Sequence, residues 1–168
     1  MTDTEKKPAS TDFKATWFLR MFGLTKVPLI WYVRPRVIAL SEQRVEICIP
    51  LRWRTRNHLG AMYFGALAVG ADVAGGLLAV KLIRDSGQNV SFVFKDMKGE
   101  FLKRAEGDVH FVSTTGERAR RLVERALSTG ERVDDTVEII ATVPSKLGDE
   151  PVAKFSLTLS LKKATRKT

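Results

Sequence analysis

One carboxylate stands alone in the most apolar part of the chain. The run from Ala61 to Ile83 holds only two charged residues, Asp72 and Lys81, and Asp72 lies near its middle. A buried carboxylate is costly unless it is paired or partly hydrated. Asp72 therefore has two interpretations: a structural residue bonded to the backbone or to a nearby Lys or Arg, or a carboxylate that faces a cleft and acts as a base or nucleophile.

The other reactive residue types form no recognisable motif. His58, His110 and the one cysteine, Cys48, are not spaced as metal ligands, so we expect no metal site. There is no phosphate loop of the Walker type, and no local motif supports a Ser-His-Asp triad. Cys48 has no basic neighbour in sequence, which favours a small strand residue over a nucleophile. A single cysteine excludes an intrachain disulfide and fits the cytoplasm, where we expect the protein.

The apolar run itself predicts a long helix that is buried on most sides. Its glycines would allow another backbone to approach closely. The run is also long enough to be compared with a membrane span. However, Asp72 at its centre would cost about 2.5–3.5 kcal/mol in a bilayer, and the flanking segments alternate like the strands of a soluble sheet. We therefore predict a core helix and no membrane span.

Alternating apolar and polar residues predict strands on both sides of this helix. The clearest is the last, in which Phe155, Leu157, Leu159 and Leu161 alternate with polar residues. Short connections indicate antiparallel pairing, and so few crossover helices exclude a parallel doubly wound sheet. The predicted strands are Leu29–Leu40, Arg44–Leu51, a run that begins at Val90, Asp108–Thr114, Thr136–Pro144 and Val152–Lys162; the predicted shorter helices are Phe13–Leu24 and Glu117–Leu127.

The chain length suits one domain, which we place at residues 13–163. Residues 1–12 are polar and contain no apolar signal core behind a basic start, so we predict a disordered tail. Residues 164–168 are predicted to form a basic C-terminal tail.

Positive charge is concentrated in two places. The formal net charge is +9, and the stretch from Arg34 to Arg56 contains six arginines. The second place is the C-terminal end, with Lys162, Lys163, Arg166 and Lys167. Such clusters are typical of proteins that meet a polyanion, whether nucleic acid, an acidic membrane or a phosphate-rich molecule such as coenzyme A. A solvated surface and a frayed tail explain the same pattern.

The segment Asn57–Ala74 resembles a known family. It looks like the hotdog superfamily, near the phenylacetyl-coenzyme-A thioesterase group, and still more like an uncharacterised hotdog family related to that group. The group typically shows an Asn, a His-Gly-Gly triplet and an Ala-Asp-x-Ala segment, with the Asp fifteen residues after the Asn. Asn57 and Asp72 keep this spacing, and Ala71-Asp72-Val73-Ala74 matches the last segment. The triplet departs from the pattern, because it reads Tyr63-Phe64-Gly65 here.

The resemblance covers roughly residues 29–163 and implies an α+β hotdog fold. A curved antiparallel sheet would wrap around one long central helix, with an extra N-terminal helix and an inserted short helix. It also implies a homodimer or a dimer of dimers with shared sites. Asn57 and the helix N-terminus would come from one protomer and Asp72 from the other.

The implied chemistry is hydrolysis of an acyl-coenzyme-A or acyl-carrier thioester, with coenzyme A as part of the substrate and no other cofactor. Backbone N–H groups around Tyr63, Phe64 and Gly65 would polarise the thioester carbonyl. Asp72 would activate water or attack directly, while Asn57 and Ser91 would orient the water. The phosphates of coenzyme A would meet basic residues at the rim, for which the candidates are Lys103, Arg104, Lys162 and Lys163.

Other functions stay open at this point. The altered triplet favours a non-catalytic protein that binds acyl-coenzyme A or a fatty-acyl group. A hotdog dehydratase would need a catalytic histidine, and neither His58 nor His110 lies in a matching motif. The charge allows nucleic-acid binding, but no recognition motif accompanies it, so we expect no specific nucleic-acid partner.

Overall fold

A computed structural model describes residues 11–164 and shows a mixed α+β fold. The sheet has six strands in the order β1-β2-β4-β5-β6-β3, and every neighbouring pair is antiparallel. The elements in chain order are α1 (Phe13–Lys26), α2 (Pro28–Val33), β1 (Arg36–Leu40), β2 (Val45–Ile49), α3 (Phe64–Asp85), β3 (Val90–Phe101), β4 (Val109–Ser113), α4 (Gly116–Thr129), β5 (Val133–Thr142), α5 (Pro144–Leu147) and β6 (Pro151–Lys163).

The long helix α3 lies across the sheet and packs against β2, β4, β5, β6 and β3. Its buried residues join those of the inner sheet face in one hydrophobic core. The extra N-terminal helix α1 and the inserted helix α4 are both present. The predicted hotdog fold class is therefore confirmed.

Helix α3 starts later than the apolar run suggests. The helix was predicted from Ala61, but residues 61–63 lie outside it because the preceding loop pairs with them. Met62 forms a β-bridge with Arg56, and the Tyr63 N–H donates to the Thr55 carbonyl at 2.8 Å. The helix then begins at Phe64 and ends at Asp85.

The predicted strand Leu29–Leu40 is wrong in its first half, which forms helix α2. Proline suits the first helical position, and Pro28 occupies it in α2. Ile30 and Val33 are buried at helical spacing while Leu29 is exposed, so a short helix buries the apolar side chains that an alternating strand would have split between two faces. Arg34 then adopts a left-handed conformation, with φ 52° and ψ 58°, that ends α2 before strand β1.

The remaining strands and helices appear where alternation and helical spacing predicted them, with ends shifted by a few residues. Gly130, in the left-handed conformation, ends α4. Asp12 caps α1 by accepting a hydrogen bond from Ala15 N–H at 3.0 Å, and the Ala164 N–H donates to the Asn89 carbonyl. The other residues of the two predicted tails, 1–10 and 165–168, lie outside the described residues.

Gly70, Gly75 and Gly76 of α3 admit side chains of the sheet, not the second backbone that we predicted. A β-carbon at Gly70 would lie 2.3 Å from the ring of Phe111, which is fully buried on β4. At Gly75 the nearest atoms are methyl groups of Ile139 and Val137, at 3.3 Å. Because large sheet side chains fit into these gaps, the helix sits close to the sheet.

Helix α3 is the one helix within residues 11–164 whose length and composition would allow it to cross a membrane. However, 67% of its most apolar window is buried inside the domain. That burial is what a core helix of a folded protein shows, so the length and hydropathy of α3 are accounted for by the hydrophobic core.

Substituting Gly70 tests this packing. We expect Gly70→Ala to lower the free energy of unfolding by about 1–3 kcal/mol, because the added methyl group overlaps a fully buried aromatic ring. Gly75→Ala is the matched control on the same helix, where smaller displacements suffice and the better helix propensity of alanine offsets part of the cost. Urea denaturation of both variants measures the difference; equal stability of the two would contradict the close contact at Gly70.

Candidate functional site

Asp72 lies on the wall of an apolar cavity of about 390 Å³. The cavity is open to solvent and is lined by residues of α1, α2, α3 and β3, and apart from Asp72 these residues are apolar or glycine. Apolar cavities of this size with one polar group are typical of sites for small ligands. The aromatic and larger aliphatic walls include Phe18, Phe22, Ile30, Leu77, Phe92 and Phe94.

The Asp72 carboxylate is strongly perturbed by this environment. Burial raises the pKa of Asp72 to about 6, because the charged form loses hydration without gaining a partner. Within residues 11–164 no hydrogen bond or ion pair involves its carboxylate, so the backbone or Lys/Arg contact of the structural interpretation is not present there. A carboxylate with a pKa near neutrality is well matched to general base catalysis.

The N-terminus of α3 offers free backbone donors. The first N–H groups of a helix have no partner within it, and no side chain caps this end of α3. Tyr63 is not one of these donors, contrary to the prediction, because its N–H donates to the Thr55 carbonyl. Tyr63 and Phe64 are 48% and 60% exposed, with ring centroids 4.7 Å apart. The Tyr63 ring also lies over Gly65, since a β-carbon there would be 2.5 Å from it. A substrate carbonyl that reaches these donors must therefore pass two aromatic rings.

These donors and Asp72 are well separated within one chain. Gly65 and Asp72 are seven residues apart on the same helix, which corresponds to about 10.5 Å along the axis. Attack requires about 3 Å between reacting atoms. Asp72 therefore does not reach a carbonyl that is bound at the start of its own helix.

Asn57 shapes the loop before α3. Its side-chain oxygen accepts hydrogen bonds from the N–H groups of Leu59, at 2.9 Å, and Ala61, at 3.2 Å. Its backbone N–H donates to the Ala61 carbonyl. Only the side-chain NH₂ of Asn57 remains for a substrate or a water, and Asn57 does not line the Asp72 cavity.

Ser91 and the basic candidates lie around strand β3. Ser91 is exposed, pairs with Lys162 in the sheet and does not line the cavity. Lys162 and Lys163 adjoin the start of β3, whereas Lys103 and Arg104 follow its end. Eleven residue steps of a strand span about 36 Å, so the four cations do not surround one phosphate group within a single chain.

Sequence analysis missed a polar network on the outer face of the sheet. Cys48 lies directly opposite His110 in the β2–β4 register. A guanidinium nitrogen of Arg36 is 3.5 Å from the sulfur of Cys48. Cys48 and Glu46 raise the pKa of His110 to about 9; the imidazole is 2.8 Å from the Glu46 carboxylate. His110 is therefore a cation at neutral pH and not a base, and Cys48 is buried. Asp108, which binds Arg36 at 2.8 Å, completes a structural cluster.

The alternation of β2 already placed Glu46 and Cys48 on one face of the sheet, but the register with β4 was needed to find His110.

For metal binding, residues 11–164 contain no group of three or more His, Cys, Asp or Glu side chains close enough to hold an ion.

The profile of a family described as a domain of unknown function, DUF4442, matches residues 15–161. No curated protein gives a significant match to the sequence.

Several solved structures share the fold over nearly the whole chain. A Pseudomonas aeruginosa protein of unknown function, described as a probable thioesterase, is 25% identical with a TM-score of 0.69, covering 89% of this chain and 96% of its own. A Chlorobaculum tepidum protein of unknown function is 12% identical with a TM-score of 0.77, covering 93% and 99%. A Haemophilus influenzae thioesterase is 15% identical with a TM-score of 0.62, covering 88% and 92%.

The raised pKa of Asp72 predicts an unusual dependence of stability on pH. Between pH 3.8 and about 6 the unfolded chain releases this proton while the folded chain retains it. The free energy of unfolding therefore falls as the pH rises through this range, and the penalty is complete above about pH 6. Asp72→Asn removes the penalty and should be more stable than the wild type at pH 8, by on the order of 2 kcal/mol.

Urea denaturation at pH 4 and pH 8 checks this, because the gain should largely vanish at the lower pH. Asp85→Asn is the matched control on the same helix, since Asp85 is exposed and its hydrogen bond with Lys81 lowers its pKa. That substitution should not stabilise the protein at pH 8. A destabilised Asp72→Asn at pH 8 would instead show that the carboxylate has a structural partner.

Proposed function

The chain belongs to the DUF4442 family and has the hotdog fold, and from this premise we propose that it hydrolyses thioesters of coenzyme A or of an acyl carrier. The observation that carries the proposal is the unpaired Asp72 carboxylate, with a pKa near 6, in an otherwise apolar cavity. Solved structures of the same fold that are described as thioesterases support it. The apolar walls fit an acyl group, and the carboxylate fits activation of water or direct attack.

We further propose that the active form is a homodimer joined through β3. The sheet has two outer strands, β1 with five residues and β3 with twelve. A long unpaired edge is a template for another strand. Val93, Met97 and Phe101 are exposed along β3, which supports pairing of this edge with a second copy.

Antiparallel pairing of two β3 strands would complete the site. The end of β3 lies beside the start of α3, since the Phe101 and Phe64 rings are 6.4 Å apart. The start of β3 lies beside Asp72, since Phe92 and Phe94 line its cavity. A two-fold axis through the middle of β3 would bring the donors at the start of one α3 towards Asp72 of the other.

The same pairing would bring together the remaining predicted residues. Asn57 of one protomer, with its free NH₂ group, would approach Ser91 on the other, where the two side chains would orient the water. Lys103 and Arg104 would approach the partner's copies of Lys162 and Lys163, so the four cations would form one rim for the phosphates of coenzyme A. The cytoplasm, where acyl-coenzyme-A thioesters occur, remains the predicted location.

A second function is favoured by one observation at the helix start. Because the Tyr63 ring lies over Gly65, the donors are partly covered, and a protein that binds acyl-coenzyme A without cleaving it would show the same arrangement. Purified protein with a panel of acyl-coenzyme-A substrates separates the two: turnover supports hydrolysis, whereas saturable binding without release of free coenzyme A supports the binding protein.

Removing the carboxylate tests the role of Asp72. We expect Asp72→Ala to lower kcat/KM by at least about 100-fold while the protein stays folded, because the general base or nucleophile is lost. In the wild type kcat/KM should rise with pH through about 6, as Asp72 ionises. Asp85→Asn on the same helix should retain full activity. Normal hydrolysis by Asp72→Ala would mean that the site lies elsewhere.

Mixed dimers test whether the site is shared. Asn57→Ala and Asp72→Ala should each damage both sites of their homodimers. In a heterodimer of the two, one site carries both substitutions and the other carries neither. Random pairing on co-expression makes about half of all dimers heterodimers, so activity should recover to about a quarter of the wild type if the sites are independent. A monomer in solution, or proven heterodimers no more active than the parents, would rule out sharing.

A further inference from the structure

Helix α1 is apolar on two faces. Its inner face buries Leu19 and Gly23 against the core. Its outer face carries Phe13, Trp17 and Leu24, which are 81%, 68% and 49% exposed. Residues four and seven apart lie on the same side of a helix, so these side chains form a continuous stripe. Within residues 11–164 no other element covers this stripe.

All three tryptophans of the sequence are exposed, on α1, on α2 and in the loop after β2. Trp31 on α2 is 37% exposed, and Trp53, in the loop after β2, is 69% exposed. The guanidinium of Arg54 lies over the rings of both Trp53 and Tyr32, which joins α2 to this loop. Exposed indoles are uncommon in folded domains and are enriched where a protein meets the interface of a bilayer.

A cleft of about 320 Å³ is lined by Trp53 and by five arginines. Asp108 pairs with only two of them, Arg36 and Arg52. The other three, Arg20, Arg34 and Arg54, have no acidic partner in the described part of the chain.

The cleft holds more positive charge than its surroundings neutralise. The Arg36 Nε is buried and has no hydrogen-bond partner. Burial and the charges of Arg34 and Arg36 lower the pKa of Arg20, which reflects a strongly positive local potential. Guanidinium groups bind phosphate oxygens in a bidentate manner. The cleft is therefore suited to phosphate groups.

We propose that this surface, formed by the outer face of α1, by α2 and by the Trp53 loop, docks on an anionic phospholipid bilayer. The apolar and indole side chains enter the interfacial layer, and the arginines of the cleft bind lipid phosphates. An amphipathic helix with basic residues beside its apolar stripe is the usual form of such a contact. Arg20 and Lys14 take these flanking positions on α1.

Charge and shape together favour a bilayer over other occupants. Nucleic acid or a soluble phosphate compound would use the cleft but would leave Phe13, Leu24 and the 57%-exposed Leu29 in water. A second copy docked face to face would bring two arginine clefts of like charge together. An anionic lipid surface satisfies the arginines and the apolar stripe at once.

Docking would also place the Asp72 cavity close to the lipid. Helices α1 and α2 supply Phe18, Phe22 and Ile30 to that cavity from their inner sides. If the proposed hydrolysis is correct, acyl groups held in the membrane would be near the cavity. This consequence depends on the proposed function, whereas the docking itself does not.

Vesicle flotation with the full chain tests the docking. We expect binding to vesicles of phosphatidylcholine with 30% phosphatidylglycerol, little binding to phosphatidylcholine alone, and loss of binding at high salt. Tryptophan fluorescence should shift to shorter wavelength on binding, because all three indoles lie on the surface. Phe13→Ser/Trp17→Ser and Arg34→Gln/Arg54→Gln should each weaken partitioning by about tenfold or more.

Arg121→Gln/Arg125→Gln removes the same charge from exposed positions on α4 and should bind vesicles like the wild type, which excludes an effect of net charge alone. Circular dichroism verifies that each variant is folded. The proposal is overturned if anionic vesicles are not bound or if the Arg34/Arg54 variant binds them normally. It is also overturned if Phe13→Ser/Trp17→Ser changes the oligomeric state in light scattering while vesicle binding persists, or if only inorganic phosphate or an oligonucleotide binds.

Discussion

The fit of large sheet side chains into the small-residue face of α3 fixes the position of everything else. Phe111 lies against Gly70, and Phe92 and Phe94 lie against Gly76. These contacts fix the rotation of α3 about its axis, because the three phenylalanine rings fit only against the glycines. That rotation turns Asp72 away from the centre of the sheet and towards α1, α2 and β3, where the cavity lies. The same packing sets the start of α3 beside the end of β3.

The ionised carboxylate of Asp72 destabilises the folded state, whereas Glu46 and His110 stabilise each other. His110 and Glu46 form a close pair in which each charge stabilises the other, and the pKa values of both move in the direction that favours ionisation. For Asp72 the only effect is desolvation, which raises its pKa and disfavours the ionised form. A group that destabilises the folded state and is retained in a cavity is a candidate for function, because packing alone would favour an apolar residue there. The contrast between the two sites separates a structural carboxylate from the proposed reactive one.

Helices α1 and α2 contact the apolar cavity on one side and solvent on the other. Their inner sides line the apolar cavity, and their outer sides present aromatic residues and arginines to solvent. A helix that served only as a cover would carry polar residues outside. The proposed bilayer contact and the proposed acyl cavity thus share the same two helices, and docking would give these helices a function beyond covering the core.

The sequence by itself determined the features that depend on near neighbours along the chain. Strict alternation identified β6, helical spacing identified α4, and the apolar run with one central acid identified both the core helix and Asp72. These periodic signals are strong because a strand or helix face repeats within a few residues. The segment Asn57–Ala74 separately carried the resemblance to the hotdog family.

Tertiary structure decided what depends on distant contacts. Residues 29–33 have the composition of a strand but form a helix, because Ile30 and Val33 are buried together at helical spacing. Cys48 meets His110 only through the β2–β4 register. Arg20 joins four arginines from other segments in one cleft, and the absence of any partner for Asp72 within residues 11–164 emerges only once the surrounding elements are in place. Burial and electrostatics act through space, so neither the value to which the pKa of Asp72 is raised nor the shared charge of the cleft follows from the local order of residues.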